Sequence, residues 1–420
     1  STIRGLVIRN FDGAGILIDT GSNGNTITGN YVGALNTAGT DAGASLANNG
    51  SGILVFGIGN TIGGLTVADR NVISGNDQNG IHVTASGLSN LIVGNFVGTT
   101  ADGLAALGNH ENGLFIEGAE QQIVGNLVSA NQYGIAILGE DADGNVIHGN
   151  LVGTDITGTA ALGNLFDGIQ VMGGADGTQI GDGTPTSRNL VSGNGQHGIV
   201  IGGTSTTGTW VVGNFIGTTV SGMQALGNGE YGIALYDGAS ASLVYSNLIS
   251  GNGKSGVQIN GNGNPATQGN VIAANGIGLD YAGTAALGNG HYGIEVIGSA
   301  SGNEALDNYV SGNGSGGIHL STGASGNAIT NNDIGTAIGD ASIVLGNGGA
   351  GVSLAASAGS GNIIVTNLIK GSTGLAIDLG DDGPTANDPL DVDAGPNDLQ
   401  NTPTIDDVLA DGTNSRIRGS

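Results

Sequence analysis

Thirteen times along the chain a glycine precedes an apolar residue, one variable residue and a second apolar residue: "GILI", "GILV", "GIHV", "GLFI", "GIAI", "GIQV", "GIVI", "GIAL", "GVQI", "GIEV", "GIHL", "GVSL" and "GLAI". The first of these glycines is Gly15 and the last Gly374, with steps of 37, 28, 33, 21, 34, 30, 34, 24, 37, 24, 34 and 23 residues. Short and long steps alternate, so the unit is a pair of about 60 residues. A period this regular constrains the fold more than any local propensity, because each unit must bury its apolar face against the next.

A minimal step such as "GLFIEGAEQQIVGNLVSANQY" holds three short alternating segments, "LFI", "QIV" and "NLV", each bounded by Gly or Asn. That is strand and turn punctuation, and no window sustains a helical period. Three strands and three corners in 21 to 24 residues make one coil of a solenoid, stacked at about 4.8 Å per coil. The first and third residues of "GIxI" then point inward and stack along the axis, and the middle one faces out. Gly at the corners permits positive φ, and Asn tolerates it. Asn of the recurrent "GN" pairs is expected to stack as inward hydrogen-bonded ladders. The prediction is an all-β, right-handed single-stranded parallel β-helix over 1–380, of about 13 rungs with three short strands each, alternating short and long.

The longer steps contain a second phrase, "NLVGTDITGTAALGN" at 150–164, repeated as "NFVGTTADGLAALGN", "NFIGTTVSGMQALGN" and "NGIGLDYAGTAALGN". It adds about 10 residues at one corner of alternate rungs and should form a row of loops along one edge. Its acids vary: Asp102, Asp155 and Asp280 have no counterpart in "TTVSGM". Side-chain caps on turns account for them better than a metal site. Together these repeats resemble the right-handed parallel β-helix arrays of the pectate-lyase-like superfamily, in particular those of large bacterial surface and secreted proteins. "NTIGGLTVADRNVISGN" (60–76) and "TQIGDGTPTSRNLVSGN" (178–194) carry the second half of that pattern. The resemblance implies a secreted or cell-surface bacterial protein that serves as a structural or adhesive rod.

Chemistry on such a rod is sought on the outward positions of the "GIxI" strands, where enzymes of the superfamily hold their clefts. Asp167, His197 and Tyr231 fall on successive rungs and should lie about 5 Å apart. With Glu230 and Lys254 beside them they are the strongest acid–base constellation in the sequence. A polysaccharide lyase or hydrolase, or a glycan-binding module, would use them, with Tyr133, Tyr231 and Tyr292 stacking on sugar rings. Against this, the array carries only Arg70, Arg188, Lys254 and Lys370 after its first rung, too few cations for an acidic polysaccharide. The "NTD", "GHG" and "RIK" motifs of polygalacturonase-like enzymes are missing, as is the "DPHD" element of alginate epimerases, and "DD" occurs only near the C-terminal end. Arg70 and Arg188 occupy equivalent insertions, which reads as structural repetition. His82 and His319 stand alone on outward positions and are expected to be solvated.

The segment 378–401 differs in kind, packing Asp378, Asp381, Asp382, Asp388, Asp391, Asp393 and Asp398 among three prolines. Such a loop repels itself unless a hard cation lies among the carboxylates, so Asp381, Asp382, Asp388, Asp391 and Asp393 are the candidate Ca²⁺ ligands. Residues 381–420 are read as an acidic exit from the rod. Its opening "STIRGLVIRN" reads like the middle of a repeat, which suggests a piece of something longer that could join end to end through exposed strand edges. With 34 acids against 8 bases, a net charge of −26 repels nucleic acid and anionic membrane. The absence of Cys excludes a disulfide framework, and no apolar run is long enough for membrane insertion. Expected partners are therefore a glycan or neighbouring copies of the chain, with no cofactor required.

Overall fold

The computed structural model describes residues 1–261, 267–387, 394–400, 405–410 and 415–419. Three parallel sheets of 13 strands each wind around one axis, every strand pairing only with its counterparts one rung before and after. The first sheet runs from Thr2–Arg4 to Ile363–Val365, the second from Val7–Ile8 to Leu368–Ile369, and the third from Ile16–Ile18 to Ile377–Gly380. The fold is a parallel β-helix of thirteen rungs, wound in the right-handed sense that strand twist favours for parallel crossovers.

The core is the inward half of each strand. In the first sheet Ile62, Ile92, Ile123, Ile147 and Ile180 occupy one register column, and all are fully buried. Ile81, Leu114, Ile135, Ile169, Ile199 and Ile233 do the same in the third sheet. A buried aliphatic side chain of this size contributes roughly 1.5–3 kcal/mol, so the rod gains its stability evenly along its length. Twelve of the thirteen "GIxI" landmarks mark the third sheet as predicted. The thirteenth is corrected: Val352 pairs with Ile377 rather than Leu375, so the strand is "IDLG" and not "LAI". The corner 370–376 is as long as its counterparts 192–198 and 250–256, and Gly374 donates to Gly349 O within it as a corner residue.

At the corner between the first and second sheets a ladder runs unbroken through Asn30, Asn71, Asn95, Asn126, Asn150 and onward to Asn367. Each Nδ2 donates to the next Oδ1, as from Asn71 to Asn95 at 2.9 Å, and also to a carbonyl of the rung before, as to Ile27 O at 2.8 Å. Most of these Oδ1 atoms also accept the backbone N–H of the preceding Asn, as Asn126 Oδ1 does from Asn95 at 2.9 Å, so a buried amide keeps its donors and acceptor engaged. A second ladder from Asn48 to Asn347 lines the next corner. The third, from Asn25 to Asn145, breaks at Thr178 and Thr209, whose buried hydroxyls have no protein partner, and resumes at Asn270.

The repeated loops (34–52, 98–111, 153–168, 217–232, 278–291 and 335–351) leave the second sheet on alternate rungs, as the sequence implied. Their reach goes further than a row along an edge. The N–H groups of Ala101, Ile156, Val220, Tyr281 and Ile338 donate at 2.9–3.1 Å to Gly39, Gly103, Gly158, Gly222 and Gly283 of the loop two rungs earlier. Contact is close enough that a Cβ on Gly222 (φ +70°) would stand 2.6 Å from that of Tyr281. The linked loops roof the outer face of the second sheet and bury Leu35, Val72, Phe96 and Leu127, then Leu190, Phe215 and Leu248. Arg70 and Arg188 lie 3.7 and 3.8 Å from the ring centres of Phe96 and Phe215, which gives both arginines the structural role expected.

After the last rung, Asn397 takes the place of the next ladder residue, receiving the N–H of Asn362 at 3.0 Å and donating back to its carbonyl. Strands Ile405–Ala410 and Ser415–Gly419 form an antiparallel pair. No helix among the described residues is long and apolar enough to cross a membrane.

Candidate functional site

With the second sheet roofed, the outer faces of the first and third sheets remain, and the charged side chains concentrate on the third. Its pleat sets three outward columns. One begins Asn112, Tyr133, Asp167, His197, Tyr231; the central one reads Phe115, Ala136, Gln170, Val200, Ala234, Gln258, Glu295, His319, Ser353, Asp378. The third holds Leu138, Met172 and Tyr236. Val200 and Ala234 point outward yet are buried, because the larger columns on either side close over them.

The structure brings Asp167, His197 and Tyr231 together on rungs six, seven and eight. The Asp167 carboxylate is buried, accepting the backbone N–H of His197 at 3.0 Å and the Gln170 amide at 2.7 Å. His197 Nδ1 faces the backbone N–H of Tyr231 at 3.4 Å, which places the ring proton on Nε2. That Nε2 is 3.7 Å from a Glu230 carboxylate oxygen, too far for a good hydrogen bond. Glu230 is held instead by Lys254 at 3.1 Å. Burial lowers the His197 pKa, with Asp167 and Glu230 opposing, and keeps the ring neutral. Burial likewise raises the Tyr231 hydroxyl, Glu295 and Glu230 adding to it, and takes Tyr236 to about 12.

The tyrosines expected to meet sugar rings have their faces against neighbouring rungs. Tyr231 stacks on His197 (centroids 5.4 Å apart), with Lys254 Nζ 5.1 Å from its ring centre. Tyr133 packs on Phe166 at 5.0 Å, and Tyr292 lies nearly parallel to His319 at 4.3 Å. Stacking along the axis turns ring edges, rather than faces, towards solvent.

Two expectations are corrected here. His82 is not alone: its Nε2 is 2.8 Å from a Glu117 oxygen and its ring packs on Phe115. His319 is not solvated: it is 7% exposed, bonded through Nδ1 to Ser353 Oγ at 2.8 Å, and burial lowers its pKa against Asp381 and Glu295. Glu295, His319, Ser353 and Asp378 thus form one polar column on consecutive rungs, with Glu295 also accepting from Ser255 and Gln258 at 3.1 Å each. Glu295, His319 and Ser353 are the middle residues of "GIEV", "GIHL" and "GVSL"; only Asp378 was hidden, because the thirteenth strand was framed two residues early.

Of the candidate Ca²⁺ ligands, Asp388, Asp391 and Asp393 lie outside the described residues, and Asp381 and Asp382 are exposed beyond the last strand. Among the described residues no three His, Cys, Asp or Glu side chains are grouped to hold a metal ion. The acids of the loops act as turn caps: Asp155 Oδ1 accepts the N–H groups of Thr159 and Ala160 at 3.2 Å, and Asp280 those of Thr284 and Ala285. A cavity of about 630 Å³ opens between the final rung and the segments 383–387 and 397–400, lined on the rung side by Ile363, Val365, Leu375, Ile377 and Leu379.

Residues 166–334 match a family model described as a right handed beta helix region. Among solved structures, the chain is similar to the Dettilon tailspike protein, 18% identical with a TM-score of 0.50 over 85% of this chain and 63% of that one. It is also similar to the periplasmic alginate epimerase AlgG, 11% identical with a TM-score of 0.42 over 77% of this chain and 76% of that one. An alginate lyase from Paenibacillus sp. str. FPU-7 is 16% identical with a TM-score of 0.43 over 70% and 95%. No curated protein sequence matches the chain. At these identities the likeness is one of fold.

Proposed function

We propose that this chain is a non-catalytic rod of an extracellular or surface protein, in which the β-helix supplies length and stiffness for a structural or adhesive role. The observation that supports this reading is the engagement of the acid–base groups: Asp167 is bonded from two sides, Glu230 to Lys254, and His197 is stacked on Tyr231. A general base or nucleophile needs a lone pair free to reach substrate, and a His whose Nδ1 faces a backbone N–H offers none on that side.

A second reading, a polysaccharide-processing enzyme or glycan-binding module on the third sheet, draws support from the same strip: a neutral His197, carboxylates and tyrosines spaced one rung apart. The solved structures of similar fold include an alginate epimerase and an alginate lyase, which makes acidic polysaccharides the first polymers to try. The two readings separate in a screen for degradation or epimerisation of polysaccharides, with the triple substitution Asp167→Ala, His197→Ala and Tyr231→Ala as control. The rod reading expects no turnover by the wild type. Turnover that the triple substitution abolishes would replace it with the enzymatic one.

A further inference from the structure

The outer face of the first sheet carries a feature that neither the repeats nor the third sheet explain. On rungs eight to ten, Trp210, Leu243 and Val271 form one column, and Val212, Tyr245 and Ala273 the column beside it. Trp210 is the chain's only tryptophan and is 54% exposed; Tyr245 is 45% exposed. Among the described residues neither ring packs on another aromatic ring, unlike Tyr133, Tyr231 and Tyr292 on the third sheet. Folding does not need these rings outside, since the core is closed by inward aliphatics at the same rungs, Val211 and Val244. Large aromatic side chains left on a flat apolar strip mark a contact surface.

The surroundings select the partner. In a chain of net charge −26 the columns of this strip hold no charged side chain from rung eight to rung ten, and Glu304 on rung eleven is the first. Beside the strip a row of Thr207, Ser240, Gln268, Ser301 and Ser325 is bridged from rung to rung, which sets one uncharged hydroxyl or amide side chain at each rung. An anionic polymer or another copy of the chain would meet a strongly like-charged molecule, and the cation at the strip's edge, Arg188 bonded to Gly213 O at 3.3 Å, is already engaged over the ring of Phe215. A neutral glycan meets no such cost. Its sugar rings present an apolar C–H face to the two aromatic rings, and its hydroxyl rim meets the row of Ser, Thr and Gln.

We propose that the first-sheet strip centred on Trp210 and Tyr245 binds an uncharged linear polysaccharide lying along the rod. This goes beyond the rod reading and does not depend on it, nor on the acid–base strip of the third sheet. Trp210 reports on its own site, because it is the sole tryptophan and its emission comes from the proposed contact. Titration of the full chain with soluble starch, galactomannan and hydroxyethyl cellulose should give a saturable blue shift or quench with at least one. Alginate and polygalacturonate should give none.

In affinity electrophoresis through the positive polymer, Trp210→Ala and Tyr245→Ala should each weaken retardation by more than about tenfold. Both positions are exposed, so thermal melts matching the wild type would show that the variants fold; Trp210→Phe and Tyr245→Phe, which keep a ring, should retain most of the binding. Asp167→Ala on the third sheet should bind like the wild type. The proposal is overturned if no neutral polymer changes the emission, if the Ala variants bind as tightly as the wild type, or if Asp167→Ala alone removes binding. It is also overturned if sedimentation shows wild-type self-association that Trp210→Ala abolishes, which would make the strip an interface between copies.

Discussion

A single side chain on this rod acts through its neighbours one rung away, and His319 illustrates the consequence. It is buried, face to face with Tyr292 and bonded to Ser353, and burial depresses its pKa below the ordinary value near 6.5. Asp381, Glu295 and the hydroxyls of Tyr292 and Ser353 are the polar groups around it, and the carboxylates only moderate the shift. A base that is harder to protonate when folded makes the unfolded state bind more protons as pH falls. The stability it contributes is therefore complete above about pH 6.5 and is lost progressively as pH falls from there towards the lowered folded pKa. Replacing it by His319→Asn should lower the melting temperature at pH 8 but flatten the decline between pH 7 and 5. Parallel melting curves for the two proteins across that range would refute the assignment. In sequence this histidine looked solitary because its partner Ser353 belongs to the next rung, 34 residues on. The Asp167, His197 and Tyr231 alignment was legible because their shared frame is set by three consecutive, well-formed "GIxI" landmarks.

Among the elements, the repeated loop shows how shape can be written more firmly than charge. The link from Tyr281 N–H to Gly222 O requires two backbones to touch, and at the Gly222 φ of +70° a Cβ would be both strained and only 2.6 Å from that of Tyr281. By contrast Asp280 caps its turn by accepting two backbone N–H groups, which an Asn carbonyl can also do. Gly222→Ala should thus destabilise the rod by about 1–3 kcal/mol and accelerate hydrogen exchange at Tyr281. Asp280→Asn should change stability by less than about 0.5 kcal/mol. An equal loss for the two variants would mean that the loop acids carry more than a turn cap. The phrase itself announced where these loops leave the rod, and "GN" announced the Asn ladders. That the loops bridge two rungs and roof the second sheet was not legible, because the linking bonds run between main-chain atoms 53–62 residues apart. The Trp210 strip escaped notice for a related reason: the outward alternation was followed on the strands of one sheet only.

At the scale of the whole molecule, the two-rung unit makes a prediction about length that no single rung would. Core columns and Asn ladders repeat every rung, at about 4.8 Å, while the linked loops repeat every second rung, at roughly twice that distance. A solenoid stabilised by nearest-neighbour contacts tolerates loss of a repeat if every repeating interaction is restored at the new junction. Deleting 122–178 removes rungs five and six together and joins Gln121 to Gln179, returning each sheet, ladder and loop to an equivalent partner. Deleting 122–145 removes rung five alone and joins Gln121 to Val146. The first-sheet strands and the ladders still match in that second variant. The loops 98–111 and 153–168, however, arrive on adjacent rungs, where the Gly103 to Ile156 contact has half its required spacing and Leu127 is missing beneath it. The longer deletion should therefore be the better folded: soluble, cooperative in thermal melting, and within a few degrees of the parent. The shorter one should melt well below it or aggregate. If the two deletions behave alike, the loops are dispensable ornaments on a one-rung repeat, and the roof over the second sheet contributes nothing to the stiffness from which a structural role was argued.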